Sequence, residues 1–174
     1  MNVLTLEPQN PEFVSREFAS HSPRRRSVEA SRLDIVIDGR PLRSWIEEWH
    51  QMSWPTYVTT LTPSSRRWGL RQLAQLRGPE PELEPQRIEL LYCPECFDVS
   101  DGILTIEASR TAEAVAWRTF SWKNDVGEAD DDSEDLVVEG APNLVFDTIA
   151  YDSAIDRAEA YLRQRLPFGW SRRR

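Results

Sequence analysis

Three strand-like segments follow one another between residues 87 and 122, and their short connections constrain the fold more than any other feature. The segments read RIELLYC, GILTIEA and AVAWRTFSW. Each is rich in β-branched, aliphatic or aromatic residues, which suit a pleated and partly buried surface. Parallel neighbours would need a crossover of about a dozen residues or more between them. The segments therefore predict an antiparallel sheet.

Helical patterns lie before and after these strands. Apolar residues at helical spacing predict three helices, near residues 41–50, 64–77 and 149–166. An alternating segment at 33–37 and a short one at 144–147 predict further strands. The chain is therefore expected to form an α+β fold, an antiparallel sheet of about four to six strands with three helices packed mainly on one face.

The expected domain boundaries follow from proline and charge. Residues 1–30 begin with a strand-like MNVLTLE and continue as a proline-containing segment with three consecutive arginines, which indicates a flexible basic loop or tail. Residues 31–166 are predicted to form a single α+β domain. Residues 167–174 end in WSRRR and are predicted to form a basic C-terminal tail.

The charge of the chain limits the class of partner. The net charge is −8, and residues 78–174 hold 21 Asp and Glu against 10 Arg and Lys. Such a chain is repelled by nucleic acid and by anionic membranes, whereas a basic protein is attracted to it. The N-terminus lacks a signal-peptide pattern, and no run of 18 apolar residues occurs. These features predict a cytoplasmic protein that binds neither nucleic acid nor membrane, and they leave its oligomeric state open.

Cys93 and Cys96 form the only CxxC pair of the chain. Structural zinc needs four ligands. On paper the pair could be completed by His50 with a carboxylate such as Asp98 or Asp101, or by the same pair of a second chain in a dimer. A redox pair needs its first thiol at a helix N-terminus, whereas the chain continues as a turn and a strand. A hairpin corner is therefore predicted without cofactor or metal, and a small thiol or zinc protein remains the alternative.

The segment LLYCPECFDVSDGILTIEASRTAEAVAWRTFSWKND resembles a family of uncharacterised actinobacterial proteins. Their pattern is C-x-E-C-G-D-x-G-C-G, then a strand, then W-x-x-F-x-[WY]-x-N, and the likeness covers about residues 33–165. The third cysteine of that pattern is Asp101 here, and two of its glycines are Phe97 and Ser100. Members of this family are often labelled oxidoreductases. If their function needs the third cysteine, the resemblance implies that this protein has lost it. The matching residues are Cys93, Glu95, Cys96, Asp98, Gly102, Trp117, Phe120, Trp122 and Asn124.

Sequence motifs favour a binding role over catalysis. The chain has no G-x-G-x-x-G, P-loop, H-E-x-x-H or G-x-S-x-G motif. An acidic, non-enzymatic interaction domain is therefore predicted, which could neutralise a basic partner as immunity proteins do. Aromatic residues anchor many interfaces, and carboxylates attract a basic surface. The predicted contact residues are Trp117, Phe120, Trp122, Asn124, Asp130, Asp131 and Asp132.

Overall fold

The computed structural model describes residues 1–50, 57–78, 86–95, 102–123 and 136–164. Within these ranges the chain forms five α-helices and two antiparallel sheets, which confirms the α+β class but not the expected number of helices. The helices are α1 (Pro11–Glu17), α2 (Pro23–Ala30), α3 (Leu42–His50), α4 (Arg66–Leu76) and α5 (Thr148–Arg163). The strands are β1 (Leu4–Pro8), β2 (Leu33–Ile37), β3 (Arg40–Pro41), β4 (Gln86–Tyr92), β5 (Ile103–Arg110), β6 (Ala114–Lys123), β7 (Leu136–Val137) and β8 (Leu144–Asp147).

The larger sheet contains the three segments from which the fold was predicted. Its strands lie in the order β4-β5-β6-β7, and β8 also pairs with β6. All of these pairings are antiparallel, as predicted. The short strands β7 and β8 contact opposite ends of β6, so together they cover the edge of this strand that β5 leaves open.

The smaller sheet has the order β1-β2-β3 and is joined to the larger one near the N-terminus. Asn2 makes two hydrogen bonds to Val145 of β8. Its backbone N–H donates to the Val145 carbonyl at 2.7 Å, and its side-chain oxygen accepts from the Val145 N–H at 3.0 Å. The two sheets therefore belong to one structure, and a single large cluster of buried side chains draws on both of them.

A β-bulge in β6 changes which of its side chains face the core. Strict alternation predicts that Trp117 and Phe120 point to opposite faces of the sheet. The register against β5 shifts by one residue within β6, and Thr119 at this point has a φ of 48°. The extra residue brings Trp117, Phe120 and Trp122 all into the core, where their exposed fractions are 0%, 1% and 3%.

The predicted flexible loop after β1 is wrong, because it folds into α1 and α2. Asn10 and Ser22 cap the two helices with their side-chain oxygens, and a proline follows each cap. Proline is well tolerated in the first turn of a helix, where its missing N–H costs no hydrogen bond. The prolines that indicated a loop therefore mark two helix starts instead.

The closing helix begins where the sequence predicts. Asp147 accepts a hydrogen bond from the Ala150 N–H at 2.9 Å and so caps α5. Tyr151, Ile155 and Leu162 are buried from one side of this helix. The predicted basic tail, residues 167–174, lies outside the described residues. None of the described helices is both long and apolar enough to cross a bilayer.

Candidate interaction groove

A groove of about 420 Å³ lies between α1 and α3. Its lining residues come from α1, from the start of α3, from the segment after residue 56 and from the ends of β4 and β6. Among the residues that line it are Asn10, Glu12, Phe13, Arg16, Glu17, Pro41, Arg43, Ser44, Ile46, Glu47, Tyr57, Leu91 and Trp122. The groove thus combines an aromatic wall with charged residues.

The wall of the groove is built from core residues that reach its surface. The rings of Tyr57 and Trp122 pack against each other, with their centroids 4.8 Å apart and their planes at 57°. Leu91 and Ile46 are 3% and 2% exposed and belong to the same large core cluster. Because these side chains are fixed by the core, the wall is rigid and needs little reordering when a ligand contacts it.

Arg43 holds the two sides of the groove together. Its guanidinium donates two hydrogen bonds to Asp34 of β2, at 2.6 and 2.5 Å. Its Cζ atom also lies 3.5 Å from the ring centre of Phe13 on α1. Burial raises the pKa of Asp34 even though Arg43 and its hydrogen bonds act in the opposite direction. The ion pair with Asp34, 2.5 Å long, compensates the positive charge of Arg43.

The remaining charges make the rim of the groove acidic. Arg16 pairs with Glu17 at 2.6 Å. Glu12 and Glu47 have no cationic partner within the described part of the chain. With Arg16 and Arg43 each matched by a carboxylate, these two glutamates give the groove an excess of negative charge. A cation is the ligand that such a rim attracts.

Of the predicted aromatic contact residues, two are buried in the core and one lines the groove. Trp117 packs against Phe146 and Tyr151, and Phe120 against Trp49, all inside the protein. The prediction that Trp117 and Phe120 form a contact surface is therefore wrong, since both side chains are buried by the bulge in β6. Trp122 is also almost entirely buried, but it lines the groove.

The acidic residues of the same prediction fall on a part of the chain that is not described. Asn124, Asp130, Asp131 and Asp132 all lie between residues 124 and 135. Their role as contact residues stays a prediction.

Two groove residues lie on a helix that the sequence analysis did not predict. Phe13 and Glu12 belong to α1, which was expected to be loop. The signal for this helix is the pair Asn10–Pro11, a capping residue followed by proline at the first helical position. This pair is the sequence feature that marks α1 as a helix and so places both side chains on it.

The CxxC turn is only partly described. Cys93 is a free, half-buried thiol that packs against the large core cluster, whereas Cys96 lies outside the described residues. His21 contacts Glu95 at 2.9 Å, and Arg25 donates to the Pro94 carbonyl. His21, which lies between α1 and α2, and Arg25 of α2 therefore fix this turn. Among the residues that the structure describes, no three His, Cys, Asp or Glu side chains are grouped to hold a metal.

Comparisons with protein-family models, with curated proteins and with solved structures gave no match. The resemblance to the actinobacterial family therefore stays a prediction.

Proposed function

We propose that this protein is a non-enzymatic interaction domain for a basic protein partner, and that the groove between α1 and α3 receives a cationic side chain of that partner. The observation that carries the proposal is the combination of an aromatic wall with a rim of uncompensated carboxylates. Phe13, Tyr57 and Trp122 supply the wall, and Glu12 and Glu47 supply the charge.

A long cationic side chain fits both parts of the groove. The aliphatic stem of Arg or Lys packs along apolar surface while its charged head stays near water. Carboxylates at the rim then pair with the head, and a guanidinium near an aromatic face gains a cation–π contribution. A groove of about 420 Å³ falls in the size range of small-molecule sites, which is large enough for one such side chain.

The charge of the whole chain supports the same partner. A net charge of −8 steers a basic protein toward the surface, and this effect weakens as salt rises. Neutralisation of a basic toxin, in the manner of an immunity protein, is one role that would use this design. In that role the groove would supply the anchor for one cationic residue, and the acidic segment after residue 124 would supply steering.

The test captures the partner and then asks where it binds. Native lysate of cells that produce this protein is passed over three immobilised forms. These are the wild type, the groove variant Glu12→Gln/Glu47→Gln and the control Glu113→Gln/Glu139→Gln. Glu113 and Glu139 are exposed and lie outside the groove, so both double variants lose the same charge. We expect a basic protein that the wild type and the control capture and that the groove variant loses. Equal capture by all three forms would contradict the proposal.

The alternative, a small thiol or zinc protein that uses Cys93 and Cys96, is separated by measurements on the same preparation. Bound zinc in elemental analysis, together with loss of stability in Cys93→Ser/Cys96→Ser, would support it. Protein without zinc and with thiols of ordinary reactivity would count against it.

A further inference from the structure

A second cavity, of about 360 Å³, lies between α2 and α4. None of the residues named as lining it also lines the groove. The charge of this cavity is opposite to that of the chain as a whole. The lining residues include Arg25, Val28, Arg32, Thr60, Ser65, Trp68 and Tyr92. Two guanidinium groups, three hydroxyl groups and an indole ring therefore surround one space.

The two helices that flank this cavity are strongly basic. Together α2 and α4 carry six arginines and one acidic residue, Glu29, although the net charge of the chain is −8. Five of these arginines lie within the first residues of their helices, at 24–26 and 66–67. Positive charge at a helix N-terminus opposes the helix dipole. Helix stability therefore does not explain these arginines, and one of them, Arg25, lines the cavity.

The single acidic residue of the two helices is already engaged. The Glu29 side chain is fully buried and accepts two hydrogen bonds from Arg32, at 2.7 and 2.9 Å. Arg25 also approaches Glu29, at 3.1 Å, and its side chain keeps 30% exposure. A second carboxylate, that of Glu89, accepts from the hydroxyl of the lining residue Tyr92 at 2.9 Å, and Arg71 also acts on Tyr92. Three guanidinium groups thus stand against two carboxylates around the cavity.

Trp68 supplies an exposed aromatic surface at the same place. Trp68 is 59% exposed, whereas Trp117 and Trp122 are 0% and 3% exposed. The next residue, Gly69, packs so closely against α5 that a Cβ atom there would lie 2.8 Å from Leu162. This contact fixes α4 and so fixes the position from which Trp68 projects. The Arg71 guanidinium lies 5.8 Å from the centre of its indole ring.

We propose that this cavity binds a planar base that carries a phosphate group. Trp68 stacks on the base, as exposed aromatics do in proteins that bind single-stranded nucleic acid. Arg25 and Arg71 pair with the phosphate, for which a guanidinium is well suited. The base and phosphate belong to a free mononucleotide, or to an exposed nucleotide of a single strand. The net charge of −8 favours the mononucleotide, because a long polyanion is repelled more strongly.

The test is a titration of the ¹⁵N-labelled full chain, followed by NMR. The probes are AMP, UMP, inorganic phosphate and a five-nucleotide RNA. We expect saturable shifts of the Trp68 indole N–H with AMP or UMP, and affinity at least about tenfold weaker for phosphate alone. Shifts with the mononucleotides identify a free ligand. Tighter binding of the RNA, with a steeper salt dependence, identifies a single strand as the source.

Matched variants show whether the proposed residues are responsible. Trp68→Ala and Arg25→Gln/Arg71→Gln should each weaken AMP binding by about tenfold or more. The control Arg118→Gln/Arg157→Gln removes two exposed charges from β6 and α5 and should leave binding unchanged. Thermal unfolding of each variant verifies that it is folded. Absence of mononucleotide binding, equal binding of phosphate alone, or unchanged affinity in Trp68→Ala would overturn the proposal.

Discussion

Replacement of Glu29 by glutamine tests the buried ion pair that anchors α2. The Glu29 side chain is fully buried and Arg32 is 3% exposed, and the carboxylate accepts two hydrogen bonds from the guanidinium. Arg32 also donates to the backbone carbonyl of Thr59. The pair therefore connects the end of α2 to the segment that precedes α4.

The expected cost follows from burial. Glutamine keeps the shape of glutamate but removes its charge, so the buried guanidinium of Arg32 loses the carboxylate with which it makes two hydrogen bonds. Removal of one partner of a buried pair costs about 3–5 kcal/mol. For a chain of this size each kcal/mol lowers the melting temperature by about 2–4 °C. We therefore expect Glu29→Gln to melt roughly 6–20 °C below the wild type.

The assay is urea unfolding followed by far-UV circular dichroism, with thermal melts alongside. Glu48→Gln is the matched control, because Glu48 pairs with Arg40 but its side chain is 57% exposed. Exposed pairs contribute at most about 1 kcal/mol. The double variant Glu29→Leu/Arg32→Met should be more stable than Glu29→Gln, since it leaves no unpaired buried charge. Equal effects of Glu29→Gln and Glu48→Gln would refute this reasoning.

Three further predictions concern the contact of α4 with α5. Gly69→Ala should lower the free energy of unfolding by about 1–3 kcal/mol, because its Cβ would lie 2.8 Å from Leu162; a stabilised variant in urea unfolding would contradict this packing. Tyr151→Phe should lower the free energy of unfolding by about 1–3 kcal/mol, since the phenol donates to the Leu76 carbonyl at 2.7 Å and accepts from the Trp117 indole at 3.3 Å. An unchanged midpoint of urea unfolding would refute this prediction. Burial raises the pKa of Tyr151, so its contribution to stability is complete below about pH 10 and falls at higher pH. Above that pH, the free energy of unfolding of Tyr151→Phe should therefore fall less steeply with pH than that of the wild type. Parallel curves of unfolding free energy against pH for the two proteins would contradict the raised pKa of Tyr151.

Much of the larger sheet could be predicted because its signal is local. Strands β4, β5 and β6 consist of residues that favour strands, and their short connections leave antiparallel pairing as the simple arrangement. Asp147 likewise marks the start of α5, since its side chain caps the helix a few residues away. Predictions of this kind need no knowledge of distant contacts.

The candidate site was harder to predict because it depends on contacts between distant residues. The bulge at Thr119 moves Phe120 to the same side as Trp117, and nothing in the local pattern of β6 marks that position. The groove joins Phe13 with Tyr57 and Trp122, which are far apart in sequence. In addition, prolines are typical of loops as well as of helix starts, so Pro11 and Pro23 alone do not predict α1 and α2.

The cationic preference of the groove is tested most directly by an NMR titration of the ¹⁵N-labelled protein with a short arginine-rich peptide. We predict that the largest amide shifts cluster at Phe13, Glu47 and Tyr57, that they saturate, and that Glu12→Gln/Glu47→Gln abolishes them while Glu113→Gln/Glu139→Gln does not. Shifts spread over the acidic half of the chain, or equal responses of both double variants, would contradict the proposal that the groove receives the cationic side chain.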